Sequence, residues 1–260
     1  MKTPTALVTG AARGIGAAVT HRLVGRGFHV MAVDGCAGAD GAAYGLATRA
    51  DLDGVVAAHP GQVTGVVADV REPGALAAVV EQVRSEHGGL SVVVAGAAII
   101  AGGDALWETD DALLDAVWRS DAVSVWNTAK ATMPLLLAQP ADARPTFVAI
   151  TSAAGEHGLY HLSAYCMAKH AVVGLVRALA ADVAGHPVTV AGVSPGSTST
   201  DMLRETARLY DLDDVSALVA EQSIGRALDP DEVASVVEFA CTAGQVVHGA
   251  ILSATGGFGR

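Results

Sequence analysis

Two textures of apolar residues alternate along this chain. Short runs rich in valine and other strand formers are followed by longer alanine-rich stretches in which apolar positions recur every three or four residues. That alternation is the pattern of strands joined by crossover helices, with helices covering both faces of a parallel sheet. Strands are predicted near 5–9, 28–33, 62–67, 90–95, 145–151, 187–193 and 249–253, and helices near 14–26, 47–58, 74–87, 109–138, 163–184 and 230–242. The expectation is an α/β chain: a single-domain, Rossmann-type, doubly wound parallel sheet of about seven strands. Pro73 and Pro230 suit first helical turns, where a missing N–H costs nothing. Pro134, late in the long helix, should bend or end it.

Composition narrows the partners. The chain has 260 residues and no linker-like segment, which is consistent with one domain. Its net charge of −11 disfavours a nucleic-acid backbone or an anionic membrane, both of which need a basic face. Three cysteines without a C-x-x-C pair suggest reduced, buried thiols in a cytoplasmic protein. Met1-Lys2 leads almost directly into the first strand, so no signal-peptide stretch is expected. The uncharged run from His87 to Gly103 carries five glycines and falls on a strand and its loop, which is not a membrane span.

Candidate chemistry begins at Thr9-Gly10-Ala11-Ala12-Arg13-Gly14-Ile15-Gly16, a glycine turn between the first strand and the first helix. Such a turn lets a dinucleotide pyrophosphate rest on helical N–H groups. Asp34 follows Gly16 by eighteen residues, at the end of the second strand. A carboxylate there accepts from a ribose 2′-hydroxyl and repels a 2′-phosphate, so NAD is favoured over NADP. Arg13 argues the other way, as a partner for a 2′-phosphate; its plainer use is a solvated or pyrophosphate-facing side chain. Asp69-Val70 either reach the adenine or merely open a helix. Ser152, Tyr165 and Lys169 stand thirteen and four residues apart. The four-residue step puts phenol and ammonium on one helix face, where the cation stabilises phenolate.

With these motifs in order, the chain resembles the short-chain dehydrogenase/reductases over essentially its whole length. The matching pieces are the Thr9–Gly16 turn, Asp34, Asp69-Val70, Ser152–Gly155, Tyr165-Cys-Met-Ala-Lys169, Pro195-Gly196 and Gly256-Gly257. The resemblance implies alcohol–ketone interconversion with NAD and commonly a homotetramer. Tyr165 would be the acid/base, Lys169 the residue lowering its pKa, and Ser152 the donor to the substrate oxygen. It further implies cofactor contacts at Gly10, Arg13, Gly14, Ile15, Gly16, Asp34, Asp69, Val70, Ala95, Gly96, Ala97, Tyr165, Lys169, Pro195, Gly196, Thr198 and Thr200. The family's asparagine in the long helix, which helps hold a water, aligns with Asp121 here. A carboxylate facing Lys169 would partly cancel its pull on Tyr165, or Asp121 would relay the proton itself. Ala98 fills a position usually held by glycine.

Asp34 to Asp69 spans 35 residues, longer than the family usually has, and the extra Gly35–Tyr44 piece lies beside the adenosine site. This is similar to the actinobacterial-type subgroup linked to the peptide-derived redox carrier mycofactocin, in which the insertion, here about 35–50, holds NAD without exchange. A mobile surface loop is the alternative. The substrate pocket is expected from Ala153, Ala154, His157, Leu159, His161, Leu162 and Ile100, under a helix-pair lid from Met202 to Gly225. An apolar secondary alcohol or ketone fits such a lining. His157 and His161 lack a third ligand, so no metal is expected. The helix at 163–184 carries more apolar surface than one sheet contact needs, which suits a subunit interface. A nucleotide-binding regulator without turnover is the rival reading, prompted by Asp121 and Ala98.

Overall fold

The structure, a computed structural model, describes residues 3–38 and 44–259. Seven strands, β1 (Thr5–Thr9), β2 (His29–Asp34), β3 (Val63–Val67), β4 (Val92–Ala95), β5 (Thr146–Ile150), β6 (Thr189–Pro195) and β7 (Ile251–Ala254), form one sheet in the order β3-β2-β1-β4-β5-β6-β7. All pairings are parallel. Because strands alternate their side chains, each feeds two layers. Ala6, Val8, Val92, Val94, Val148 and Ile150 pack beneath α1 (Gly14–Gly25), α2 (Arg49–Ala57) and α9 (Pro230–Thr242). Leu7, Val93, Phe147 and Ala149 face the opposite layer, built from α3 (Ala77–Gln82), α5 (Ser124–Leu137) and α6 (Ser163–Asp182). The chain reverses direction across the sheet between β1 and β4, and a crevice opens there at the carboxyl ends of the strands.

Several helices differ from expectation. The long helix at 109–138 is two: α4 (Asp111–Trp118) and α5, joined by a wide π turn over Arg119–Val123. Another π turn, Val83–His87, ends α3, which begins at Ala77 rather than at Pro73; Gly74, at φ +84°, turns the chain before it. Pro134 does not end α5, which runs on to Leu137. Pro230 does open α9, inside a capping box made by Asp229 and Glu232. The segment from Met202 to Gly225, expected as a lid, holds most of α7 (Asp201–Leu209) and all of α8 (Ser216–Ala220). Residues 39–43 of the insertion lie outside the described residues. Cys166 and Cys241 are buried as expected, whereas Cys36 is half-buried beside Asp34.

Among the described residues α6 alone is long and apolar enough to cross a membrane, with 20 residues and a best-window mean hydropathy of 1.2. Half of that window is buried within the protein, and Val172, Val176 and Ala180 lie in the sheet core. Phe147, fully buried near the start of β5, is the largest buried side chain in that layer. Phe147→Ala should cost about 3–5 kcal/mol. Denaturant unfolding with an unchanged slope and a lowered midpoint checks it.

Candidate active site

A cavity of about 550 Å³ runs along the crevice, from Asp34 and Asp69 at one end to Ser152, Tyr165 and Lys169 at the other. Its floor is the glycine turn. Gly10 and Gly14 take positive φ, and a Cβ on Gly10 would lie 2.9 Å from the backbone of Ala97. A Cβ on Gly16 would lie 2.0 Å from the Gly10 carbonyl oxygen, so only glycine lets α1 start this close to β1. No side chain caps the first turn of α1, whose Gly14, Ile15 and Gly16 line the cavity. An uncapped helix start on a cavity wall suits a diphosphate.

Asp34 accepts hydrogen bonds from Ala12 N–H (3.1 Å) and Cys36 N–H (3.0 Å), which fixes its carboxylate at the cavity edge. Asp69 also lines the cavity but is taken by the Arg71 guanidinium at 2.7 Å, which holds its carboxyl below the usual range. Val70, Gly96, Ala97, Ala98, Pro195, Gly196, Thr198 and Thr200 are on the wall; Thr200 also caps α7, accepting from Leu203 N–H. Ala95 is buried in β4 and does not reach the cavity lining. Arg13 lines the cavity and bridges the Gly45 carbonyl (2.7 Å) and the Asp201 carboxylate (2.9 Å), tying the insertion to the start of α7.

At the other end, Ser152 precedes a single 3₁₀ turn, Ala153–Gly155, and its Oγ accepts from Ala154 N–H at 3.1 Å. With that lone pair occupied, the hydroxyl proton is free to point elsewhere. Gly155 lets the turn press on α6, since a Cβ there would sit 2.8 Å from the Lys169 carbonyl. Tyr165 and Lys169 share one face of α6, with Nζ 5.6 Å from the ring centroid. The Tyr165 hydroxyl lies at a long 4.0 Å from Met202 Sδ.

Asp121 is fully buried, and its Oδ2 lies 3.2 Å from Lys169 Nζ while Oδ1 accepts from Ile99 N–H at 2.9 Å. The π turn accomplishes this, because it buries Ser120, Asp121 and Ala122 in succession. Burial pushes the Tyr165 phenol up; Lys169 pulls it down, Asp121 pushes it up again, and the Ser152 hydroxyl favours the phenolate. Burial works against the Lys169 ammonium too, yet Asp121 and Tyr165 hold it above its ordinary value.

The apolar wall near Tyr165 joins Ile99, Ile100, Leu159, Leu162 and Met202. Ala153 lines the cavity, but Ala154, His157 and His161 do not. His157 packs behind Phe258, with centroids 6.2 Å apart. His161, at φ +52°, turns its ring to the Gly103 carbonyl and stacks on Tyr160. Several wall residues went unnoticed in the sequence, Ile99, Tyr44 and Phe258 among them. Tyr44, from the insertion, accepts from Ile100 N–H at 3.3 Å, and Phe258 comes from near the end of the chain. An aromatic residue closing a glycine- and alanine-rich stretch was the only cue to Tyr44.

A family model described as short chain dehydrogenase matches residues 4–210. The chain belongs to that family. A cis-4-hydroxycyclohexanecarboxylate dehydrogenase of Sinomonas cyclohexanicum is 34% identical over 97% of this short-chain dehydrogenase and 95% of its own length. A (-)-trans-carveol dehydrogenase of Rhodococcus erythropolis is 35% identical over 80% of the chain and 76% of its own length. The solved carveol dehydrogenase of Mycobacterium avium, in complex with NAD, superposes with a TM-score of 0.90 at 27% identity, covering 99% of this chain and 98% of that one. The chain is therefore an oxidoreductase of short-chain type.

Gly16→Ala should destabilise the glycine turn by about 2 kcal/mol or more, because the clash is with backbone. Gly25→Ala, where a Cβ meets nothing within 4 Å, should leave stability unchanged or slightly raised. Thermal denaturation of the two variants side by side checks the difference.

Proposed function

We propose that this short-chain dehydrogenase uses NAD to interconvert an apolar secondary alcohol and its ketone. One observation carries the reading: an uncapped helix start and a Ser152–Tyr165–Lys169 cluster open onto the same cavity. Asp34 at the cavity edge supports NAD over NADP, since a 2′-phosphate would face a carboxylate. Bound NAD supplies the hydride acceptor at the carbon that becomes the carbonyl. Tyr165 Oη takes the alcohol proton, and the Lys169 ammonium stabilises the phenolate from which it starts. Ser152 donates to the substrate oxygen as negative charge develops on it. In the reverse direction Tyr165 returns the proton to the alkoxide.

The wall of Ile100, Leu159, Leu162, Met202 and Tyr44 supports a substrate that is apolar around its reacting carbon. Met202, Leu203 and Thr206 of α7 line the cavity and fit a lid; α8 and the loop before it stand outside the lining. The Arg13 bridge from Gly45 to Asp201 supports a cofactor retained under the insertion, as a carrier-linked enzyme of the mycofactocin-coupled kind would need. Exposed Trp118 and Trp126, on the α4–α5 surface, and exposed Met167 on α6 fit burial between subunits of a homotetramer.

Tyr165→Phe should lower kcat by about 10²–10⁴-fold with the fold intact, because it removes only the proton-transfer group. Absorbance of the reduced nicotinamide after addition of secondary alcohols reads the reaction. A protein that binds NAD and never reduces it, with any alcohol, would be a regulator instead. Asp121 opposes phenolate formation at Tyr165, so neutralising it lowers the pH at which the base becomes available. Oxidation by Asp121→Asn should therefore climb to its plateau at lower pH than oxidation by the native chain. Superimposable pH–rate profiles would remove Asp121 from the control of Tyr165.

A further inference from the structure

Three ion pairs stand at or behind the cavity wall: Arg71 with Asp69, Arg13 with Asp201, and Lys169 with Asp121. The first two pairs are partly open to solvent, with side chains about a third exposed. The third is sealed, with Lys169 3% and Asp121 0% exposed, and it stands where the catalytic phenol is. Screening by water weakens the first two far more than the third. Asp121 Oδ2 has no other hydrogen-bond partner, and its companion Oδ1 is held by Ile99 N–H, so the carboxylate is aimed at the ammonium.

A buried pair of this kind sums to zero charge whether the shared proton rests on nitrogen or on oxygen. An asparagine in place of Asp121 would leave the ammonium uncompensated, a net positive wall. The oxidised nicotinamide ring carries a positive charge and the reduced ring carries none, so the two respond differently to that wall. We infer that Asp121, through its ion pair with Lys169, biases the site toward the oxidised cofactor and hence shifts the bound equilibrium toward the NAD–alcohol side, the direction of ketone reduction on the protein. Asp121 acts here as a positioning and charge-compensating residue and does not touch substrate. The inference rests on the NAD-dependent reading above and adds a direction to it. If alcohol and ketone bind equally, the ratio of the two cofactor affinities is also the factor by which the bound equilibrium departs from that in solution.

The test is a fluorescence titration of NADH onto the native chain and onto Asp121→Asn, followed by competition with NAD, which gives both dissociation constants in one sample. Asparagine keeps the volume and an oxygen for Ile99 N–H. The NAD-to-NADH affinity ratio should fall by about tenfold in the variant, the size of effect that one unit charge exerts across a partly screened wall. A purely structural loss would weaken both cofactors together and leave the ratio alone. A change in ratio below about twofold, with both cofactors still bound, overturns the inference and leaves the dehydrogenase reading standing. Failure of the native chain, freed beforehand of any cofactor that copurifies with it, to bind either cofactor overturns the reading itself, and the inference with it. Should Asp121→Asn fail to fold, Asp121→Ser carries the same expected fall in ratio and the same threshold.

Discussion

A lysine ammonium almost wholly removed from water is the constraint around which the Tyr165 end of the cavity is built. Lys169 is 2% exposed, and an unpaired cation at that depth would cost several kcal/mol. The protein meets this with Asp121, which reaches Lys169 only because a π turn inserts an extra residue between α4 and α5 and rotates the carboxylate inward. Asp121 is itself anchored by Ile99 N–H, so the loop after β4 is drawn into the same arrangement. On the other flank Gly155 allows the turn after β5 to lie against the backbone of α6, which brings Ser152 beside the phenol. One buried charge thus connects β4, β5, α6 and the α4–α5 joint.

The cofactor end obeys a different constraint, that of backbone approach. Gly10 lies against Ala97 and Gly16 against Gly10, and no side chain fits in either gap. The open N–H groups of α1 follow from that closeness, because a capping side chain would need the room a phosphate takes. Ala98 stands on the same wall without disturbing it, since its neighbours Gly96 and Ala97 make the tight contacts.

The strands, the glycine turn and the Tyr165–Lys169 face were legible because each is written in local spacing. Alternation and helical period place residues without knowledge of distant partners, and all seven strands fall within about two residues of expectation. The π turns were not legible. Arg119–Val123 has the apolar rhythm of an ordinary helix, and the extra residue shows only in which side chains are buried. Pro134 misled for the opposite reason: a helix tolerates proline where its last turns have surrounding support, and α5 is buried along Leu135 and Leu136. His157 and His161 were placed in the pocket by proximity to Ser152 in sequence. Backbone direction decided otherwise, since the left-handed turn at His161 sends its ring to Gly103. Tyr44 and Phe258 enter from far along the chain, 108 and 106 residues from Ser152, and no local pattern reports such a meeting.

Arg13 links the two ends. A guanidinium in the glycine turn looks, in sequence, like a choice between 2′-phosphate and solvent. In the structure it holds the Gly45 carbonyl with one nitrogen and Asp201 with the other, so the insertion and the first residue of α7 share one cation. Tyr44, next to Gly45, meets Ile100 in the apolar wall, while Met202, next to Asp201, lies 4.0 Å from the Tyr165 hydroxyl. A movement of the insertion away from Arg13 therefore disturbs one wall of the substrate end, and a movement of α7 disturbs the opposite one. The insertion and α7 are thus tied to one another through a single guanidinium.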